Sequence, residues 1–299
     1  MSRDNQVRVM EVGPRDGLQN EATVLPAADK VSLVERLVAC GLKAVEVTSF
    51  VSPKWVPQLA DADQVLPAIN RRPGVDYPVL VPNLAGYQRA RAAGADSIAV
   101  FTAASEAFSQ RNTNASIAQT LERFVPVIEQ ARIDGVRVRG YVSTVLGCPY
   151  QGEVPVSEVV RVASALHAMG CAQISLGDTI GVGTPGKARA MLRSVARQIP
   201  MADLAVHFHD TYGQALGNVL ACLEEGVRVV DAAVAGSGGC PYAKGASGNL
   251  ASEDLVYLLH GLGMETGVDL AALADTGHWL STRLGKPNQS RCGRALTTP

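Results

Sequence analysis

Short apolar runs alternate along the chain with longer stretches in which apolar and polar residues follow helical spacing. The runs are rich in valine and isoleucine, which is typical of strands. Eight strand candidates occur, at residues 7–12, 43–48, 78–81, 97–101, 136–143, 173–176, 204–208 and 229–234. Helices are predicted between them, for example at residues 28–40, 117–134, 157–169, 186–197 and 213–225. Strands that alternate with helices usually pair in parallel through crossover connections.

A glycine stands at each of five positions where a predicted helix ends and a strand follows: Gly41, Gly94, Gly135, Gly170 and Gly226. Glycine closes helices well because it adopts left-handed backbone angles without steric cost. The repeated unit predicts an α/β fold, a (β/α)8 TIM barrel, with a doubly wound sheet as the alternative. Additional C-terminal helices are predicted from about residue 252. We expect residues 1–299 to form a single catalytic domain, since no linker separates two compositions.

The composition narrows the class of protein. The chain has 299 residues, of which 47% are hydrophobic, and its formal net charge is −1 with a pI near 6.5. A nucleic-acid surface needs a basic face, so we expect no nucleic-acid partner. No run approaches the roughly 20 apolar residues that cross a bilayer, and no secretory signal pattern opens the chain, so no membrane partner is expected. The six cysteines include no Cys-x-x-Cys pair, which favours a reducing cytoplasmic location.

Polar side chains gather at the predicted carboxyl ends of the strands, where barrel enzymes place their active sites. His207 and His209 lie two residues apart on the seventh strand, so both imidazoles should point to the same side. Two imidazoles with a nearby carboxylate can bind a metal ion, and Asp16 and Asn249 stand at other strand ends. The alternative is that both histidines are hydrogen-bonded structural residues.

Charged residues beside these strand ends have structural and functional interpretations. Asp16 could cap a turn, because Asp-Gly is common turn chemistry, and Arg15 could form a surface ion pair. Glu46 lies inside an otherwise apolar strand, where a carboxylate is unfavourable without a partner. Arg15 is the expected partner. Asp178 could cap a helix or act in the site.

Two glycine-rich segments also lie at the predicted catalytic end. Residues 236–249 contain Cys240, and such a segment suits a lid that brings a thiol to the substrate as an acid or base. A flexible connector is the alternative. Residues 181–186 match the G-x-G-x-x-G pattern of dinucleotide sites, but they follow the sixth strand of a longer series and contain Pro185. We predict instead a tight turn with a helix N-terminus that can receive an anionic group.

Four long phrases resemble those of the 3-hydroxy-3-methylglutaryl-CoA lyase family, within the larger group of metal-dependent barrel lyases and Claisen-type condensing enzymes. They lie at residues 12–21 (VGPRDGLQNE), 48–57 (TSFVSPKWVP), 175–186 (SLGDTIGVGTPG) and 235–249. The wider group shares the Arg-Asp start and the His-x-His strand, whereas the cysteine-bearing glycine loop is more specific to the lyases. The chain departs from the family at Ala22, where its members carry a basic residue.

The resemblance implies a set of site residues. The ligands of a divalent cation, Mg²⁺ or Mn²⁺, would be Asp16, His207, His209 and Asn249. The catalytic residues would be Arg15, Cys240, Asp178 and Glu46. The substrate contacts would come from Arg15, Ser49, Ser175 and Thr179.

The implied reaction is a metal-dependent retro-Claisen cleavage of (S)-3-hydroxy-3-methylglutaryl-CoA to acetoacetate and acetyl-CoA, as in leucine catabolism and ketone body formation. Arg15 would stabilise charge on the thioester oxygen, and Cys240 would protonate the enolate carbon or assist proton transfer. The initial base would be Asp178, His207 or a metal-bound water. The alternatives are a lyase for a larger 3-hydroxy-3-alkylglutaryl-CoA and an acyl-CoA condensing enzyme. We expect a small acyl-CoA substrate and a homo-oligomer, a dimer or tetramer.

Overall fold

The computed structural model describes residues 5–239 and 248–297, and its eight strands form one parallel sheet. The strands are β1 (Arg8–Glu11), β2 (Thr48–Ser49), β3 (Val79–Leu80), β4 (Ser97–Ala103), β5 (Arg137–Ser143), β6 (Gln173–Asp178), β7 (Leu204–Phe208) and β8 (Val229–Ala232). Their spatial order is β1-β8-β7-β6-β5-β4-β3-β2. A parallel bridge between Glu11 and Val45 joins β1 to the segment before β2 and completes the ring. The predicted (β/α)8 barrel is confirmed.

The second strand is shorter than the predicted range 43–48, because its regular ladder covers only Thr48–Ser49. The residues before it still bond to both neighbouring strands. Glu46 N donates to Glu11 O (2.9 Å), while Val45 N donates to the segment before β3 (3.0 Å). The segment before Thr48 bridges to β1 at Val45 and to the segment before β3 at Ala44. These single bridges do not form a regular ladder, which begins only at Thr48. Glu46 therefore lies in an extended approach to the strand.

Helices surround the barrel in the described part of the chain. They are α1 (Ala27–Ala39), α2 (Ala62–Ala68), α3 (Leu84–Ala92), α4 (Glu106–Thr113), α5 (Ile117–Ile133), α6 (Val156–Met169), α7 (Pro185–Val195), α8 (Ala215–Glu224), α9 (Ser252–Gly261), α10 (Leu270–Leu284) and α11 (Arg291–Thr297). All five glycines predicted at helix ends have positive φ, from 68° at Gly135 to 115° at Gly170. None of the described helices is long and apolar enough to cross a membrane.

The C-terminal helices fasten onto the start of the barrel, which confirms their prediction. Glu265 N donates to Asn5 O (2.9 Å), and Asp269 N donates to Cys40 O (2.8 Å) just before α10. The backbone at Gly41 has φ 102°, and a Cβ there would overlap the carbonyl of Gly267. Both the conformation and the close approach therefore require glycine at this position.

The apolar core lies largely between the barrel and its helices, in one cluster that runs from Val7 to Leu284. The barrel interior also holds charged side chains, including Glu46, Arg139 and Asp231, each of which is buried. Because buried charges need partners, the interior must be organised by ion pairs and hydrogen bonds. These pairs lead to the carboxyl end of the barrel.

Candidate active site

Three potential metal ligands meet at the carboxyl ends of β1 and β7. Asp16 lies in the helical turn Gly13–Gly17 that follows β1, His207 lies in β7, and His209 stands just beyond the strand. One ligand atom from each residue lies within 4.8 Å of the others. Both imidazoles are only 8% exposed. The structure therefore brings three of the four predicted ligands into a possible metal-binding cluster.

The protonation states of His209 and Asp16 suit a cation, whereas at His207 burial is outweighed by Asp231 and Asp16, which raise the pKa of its imidazole. Burial and the neighbouring His207 lower the pKa of His209 to about 4, so its imidazole is neutral at pH 7. His209 Nδ1 is buried and has no hydrogen-bond partner among the described residues. Burial opposes ionisation of Asp16, but Arg15 and the two histidines hold its pKa well below the usual range. A neutral imidazole with an unused nitrogen beside an ionised carboxylate fits a divalent cation.

Asn249, the fourth predicted ligand, stands beside the same cluster. Its backbone forms an antiparallel bridge with His209. Its side-chain nitrogen donates to Asp16 Oδ2 (2.9 Å) and to Ser237 O (3.2 Å). Because the nitrogen is used in these bonds, the amide oxygen is the atom that remains for a cation.

Arg15 is held between two carboxylates at the barrel mouth. Its Nε donates to Glu46 Oε2 (2.8 Å) and its Nη1 to Asp16 Oδ1 (2.7 Å). The hydroxyl of Tyr141 donates to the same Glu46 oxygen (3.1 Å), and its ring centroid lies 5.3 Å from the guanidinium carbon of Arg15. Burial disfavours the cation, but Glu46 and Asp16 raise the pKa of Arg15, so it stays charged. The predicted Arg15–Glu46 pair is therefore present and buried.

Asp178 ends β6 and folds back onto the turn that follows it. Its Oδ2 accepts the N–H of Gly183 (2.7 Å), shortly before α7 begins. The turn at residues 181–186, predicted to receive an anionic group, thus receives a carboxylate of the chain itself. The other oxygen, Oδ1, is buried without a hydrogen-bond partner among the described residues. Burial raises the pKa of Asp178 despite the backbone donors around it.

The three residues predicted as substrate contacts with no other role occupy different positions in the barrel. Ser49 ends β2 and is buried. Thr179 Oγ1, just beyond β6, accepts the N–H of Thr144 (2.8 Å), whose φ of 61° is rare for a β-branched residue. Ser175 lies inside β6, where its hydroxyl donates to Asp231 Oδ2 (2.8 Å). Ser49 and Thr179 therefore stand at strand ends, whereas Ser175 lies deeper in the barrel.

Asp231 and Arg139 belong to the site although the sequence patterns leave them unassigned. Asp231 Oδ2 lies 3.3 Å from His207 Nδ1, and Asp231 Oδ1 accepts from Arg139 Nη2 (2.5 Å). The contact orients the His207 ring and leaves its Nε2 for another partner. The sequence did contain a signal for both residues. Asp231 interrupts an apolar strand, as Glu46 does. Arg139 lies two residues before Tyr141 in β5, so both side chains are on the same face of the strand.

Cys240, the predicted loop thiol, lies outside the described residues. The backbone just before it is anchored to the catalytic end of the barrel. Gly238 N donates to Glu21 Oε1 (2.8 Å), and Lys286 also pairs with this carboxylate. The chain on the near side of Cys240 is thus tied to the loop that follows β1.

The fold and the cluster together define a class. This is a (β/α)8-barrel protein with a candidate divalent-metal centre, one carboxylate and two imidazoles, at the carboxyl ends of its strands and a buried arginine beside it. The sequence model of the HMGL-like family matches residues 6–279, so the chain belongs to this family.

Known relatives and solved structures are similar to this protein over almost its whole chain. A relative named 3-hydroxy-3-isohexenylglutaryl-CoA/hydroxy-methylglutaryl-CoA lyase, from Pseudomonas aeruginosa, is 58% identical over 296 residues, 99% of each chain. The crystal structure of hydroxymethylglutaryl-CoA lyase from Pseudomonas aeruginosa has a TM-score of 0.96 at 58% identity, covering 98% of this chain and 97% of that one. The structure of an HMG-CoA lyase from Acinetobacter baumannii with coenzyme A and 3-methylmalate has a TM-score of 0.94 at 37% identity, covering 99% and 96%.

Proposed function

We propose that the protein is a divalent-metal-dependent lyase that cleaves (S)-3-hydroxy-3-methylglutaryl-CoA to acetoacetate and acetyl-CoA. The observation that carries the proposal is the meeting of Asp16, His207 and His209 with the buried cation Arg15 in one barrel mouth. The lyase names of its close relatives support the substrate, and the coenzyme A bound to a structural neighbour supports an acyl-CoA. This reaction belongs to leucine catabolism and ketone body formation.

The cation would be held by Asp16, His207, His209 and Asn249. When bound, a divalent cation supplies Lewis acidity at the C3 hydroxyl of the substrate. The mixed nitrogen and oxygen donors admit both Mg²⁺ and Mn²⁺. Asp231 contributes by fixing the ring of His207, and the neutral state of His209 keeps its nitrogen free to ligate.

Arg15 would stabilise the negative charge that develops on the thioester oxygen as the C2–C3 bond breaks. Its guanidinium is permanently charged, and the bonds to Glu46 and Asp16 fix its plane before substrate arrives. Donors that are oriented in advance stabilise a transition state without reorganising. Glu46 and Tyr141 are thus proposed to position Arg15.

Proton transfer needs a base for the C3 hydroxyl and an acid for C2 of the departing acetyl-CoA. We assign the base to Asp178, because it has a raised pKa and a buried oxygen without a partner among the described residues. Its backbone carbonyl accepts the N–H of His209 (3.2 Å), and this contact between the end of β6 and the metal cluster supports the assignment. Cys240 is the proposed acid. Ser49 and Thr179 are proposed substrate contacts, whereas Ser175 would contribute through Asp231.

A larger 3-hydroxy-3-alkylglutaryl-CoA is the second candidate substrate. The name of the Pseudomonas aeruginosa relative, at 58% identity, contains both the isohexenyl and the methyl compound. The bond that breaks is the same in both substrates, so the proposed roles of Arg15 and Asp178 do not change. Only the space around the C3 substituent separates the two candidates.

The experiment is a product assay with the metal-loaded protein on both substrates. We expect acetoacetate and acetyl-CoA from the methyl compound in equal amounts, and kcat/KM on each compound gives the preference. Cleavage of the larger compound alone would replace the substrate and keep the reaction. Failure on both compounds by folded, metal-loaded protein would refute the proposal.

We also propose that the whole chain acts as one catalytic domain, forms a homo-oligomer and works in the cytoplasm. The uniform composition of the chain supports the single domain, and the scattered cysteines support the cytoplasmic location. Light scattering on the purified protein tests the oligomer directly, since a dimer or tetramer differs from a monomer at least twofold in mass.

A further inference from the structure

A second group of charged side chains lies at the opposite end of the barrel. There they line a small cavity with about 10 Å³ of room for the centre of a water molecule or a small ion. The polar part of its lining consists of Arg8, Asp76, Ser97, Arg137, Arg139 and Gln173. The residues at positions 8, 97, 137 and 173 are the first residues of β1, β4, β5 and β6. The cavity therefore sits at the amino ends of the strands, away from the metal cluster at their carboxyl ends.

Arg139 carries hydrogen-bond donors that nothing in the described chain accepts. The residue is 5% exposed, and its Nη2 bonds Asp231 (2.5 Å). Its Nε and Nη1 are buried without a partner among the described residues, and so is Nε of Arg8. A buried unsatisfied donor costs about 1–3 kcal/mol, and more when charged. An acceptor inside the cavity would remove this cost.

The charges around the cavity do not balance. Asp76 Oδ2 accepts from both Arg8 (3.4 Å) and Arg137 (3.3 Å), while Asp231 takes Arg139. The lining itself thus carries three guanidinium groups and one carboxylate, Asp76. Asp231 and Glu46 act on Arg139 from beyond the lining and offset part of this positive charge. Burial lowers the pKa of Arg8; Asp76 opposes this shift, and Arg137 and Arg139 add to it. A water molecule would accept hydrogen bonds from the unpaired donors but would not neutralise the positive charge of the lining. An anion would do both.

We propose that this cavity is a binding site for one monovalent anion of halide size, held by Arg139, Arg8 and Arg137. The room in the cavity suits a single particle of about the size of a water molecule, so the proposed ion is small. The bound anion would complete the hydrogen bonding of Arg139, whose other nitrogen holds Asp231. By holding Arg139 in place, it would also stabilise Asp231, which contacts His207.

The first test uses crystals of the whole metal-loaded protein soaked in sodium bromide, with data collected at the bromine absorption edge. We expect an anomalous peak in the cavity within about 3.5 Å of Arg139 Nε or Nη1. Density that refines as water with no anomalous signal would overturn the proposal. Peaks confined to the outer surface, which mean adventitious ions only, would overturn it as well.

The second test measures chloride binding in solution from the broadening of the ³⁵Cl resonance. We expect saturable broadening that bromide displaces, and about tenfold weaker chloride binding in Arg8→Gln, which lacks one positive charge of the lining. Arg161→Gln is the matched control, because Arg161 pairs with Glu158 on the exposed face of α6. Equal effects of the two substitutions, or no saturable broadening in the unaltered protein, would contradict the site.

Discussion

Several buried charged residues inside the barrel are stabilised by partners of opposite charge. Arg15 bonds Glu46 and Asp16, while Arg139 bonds Asp231, which in turn contacts His207. Removing one partner of a buried pair leaves the other charge uncompensated, at a cost of about 3–5 kcal/mol. Substitutions here must therefore be read with a measure of folding as well as activity.

Arg15→Gln should fold and keep its metal but lose turnover. The amide cannot supply the permanent charge proposed to face the thioester oxygen, so kcat should fall about 10²–10³-fold. Steady-state kinetics, metal analysis and circular dichroism measure the three properties. Arg161→Gln, on the surface of α6, should keep normal kcat. If Arg15→Gln retained more than about a tenth of the turnover, the role assigned to Arg15 would be wrong.

Asp231→Asn should weaken metal binding, because the His207 ring loses its charged acceptor. Loss of such a partner typically lowers metal affinity about 10–100-fold. Equilibrium dialysis against Mn²⁺ measures the affinity, and a thermal unfolding scan checks that the variant is folded. Asp203→Asn is the matched control, since Asp203 meets His167 (3.1 Å) on the surface. Unchanged affinity in folded Asp231→Asn would contradict the positioning role.

Among the elements, α9, α10 and α11 close around one buried carboxylate. Glu253, in α9, accepts the N–H of Ala235 (2.9 Å), whose φ of 60° is unusual for alanine. Gly277 of α10 and Gly293 of α11 lie against this carboxylate, and a Cβ on Gly277 would overlap it. The C-terminal helices therefore hold the turn after β8 that leads toward residue 240.

Gly277→Ala should destabilise the protein by about 1–3 kcal/mol, because the added methyl group collides with the fixed Glu253 carboxylate. Gly261→Ala, in α9, is the control. A Cβ there meets no atom of the described residues within 4 Å, so the helix should gain up to about 1 kcal/mol. Urea denaturation measures both. Equal stability of the two variants would show that the helices are not packed on Glu253 as described.

Local patterns predicted the elements well, but they did not indicate the pair of Arg139 and Asp231 inside the barrel. The positive φ of Gly170 and the shared face of His207 and His209 follow from neighbouring residues, so sequence spacing was enough. Arg139 and Asp231 are 92 residues apart, and no periodicity indicates that they meet. The early ladder predicted for β2 failed for a similar reason, since its pairing depends on two separate neighbours.

For the whole molecule, buried acids make stability depend on pH. Burial raises the pKa of Glu11 to about 7 and that of Glu253 to about 8, from a usual value of 4.5. Between pH 4.5 and these values the folded protein holds protons that the unfolded chain has released. The contribution of these acids to the free energy of unfolding therefore decreases as the pH rises through this window.

Glu253→Gln should remove the larger part of this decline, because the amide oxygen can still accept from Ala235 but does not titrate. The free energy of unfolding of the unaltered protein should fall relative to Glu253→Gln by about 2 kcal/mol or more between pH 5 and pH 8.5. Urea denaturation across this range measures it. The exposed Glu122→Gln should show no such difference. Parallel curves for all three proteins would contradict the account.

The most direct test of the proposed lyase is acetoacetate release from 3-hydroxy-3-methylglutaryl-CoA after chelation and again after addition of Mn²⁺. We expect loss of release on chelation and recovery with the ion in the unaltered protein. We expect no recovery and no bound metal in the folded His207→Ala/His209→Ala double variant. Full release from metal-free protein would show that cleavage needs no metal, and stoichiometric metal in the double variant would show that the two histidines are not its ligands.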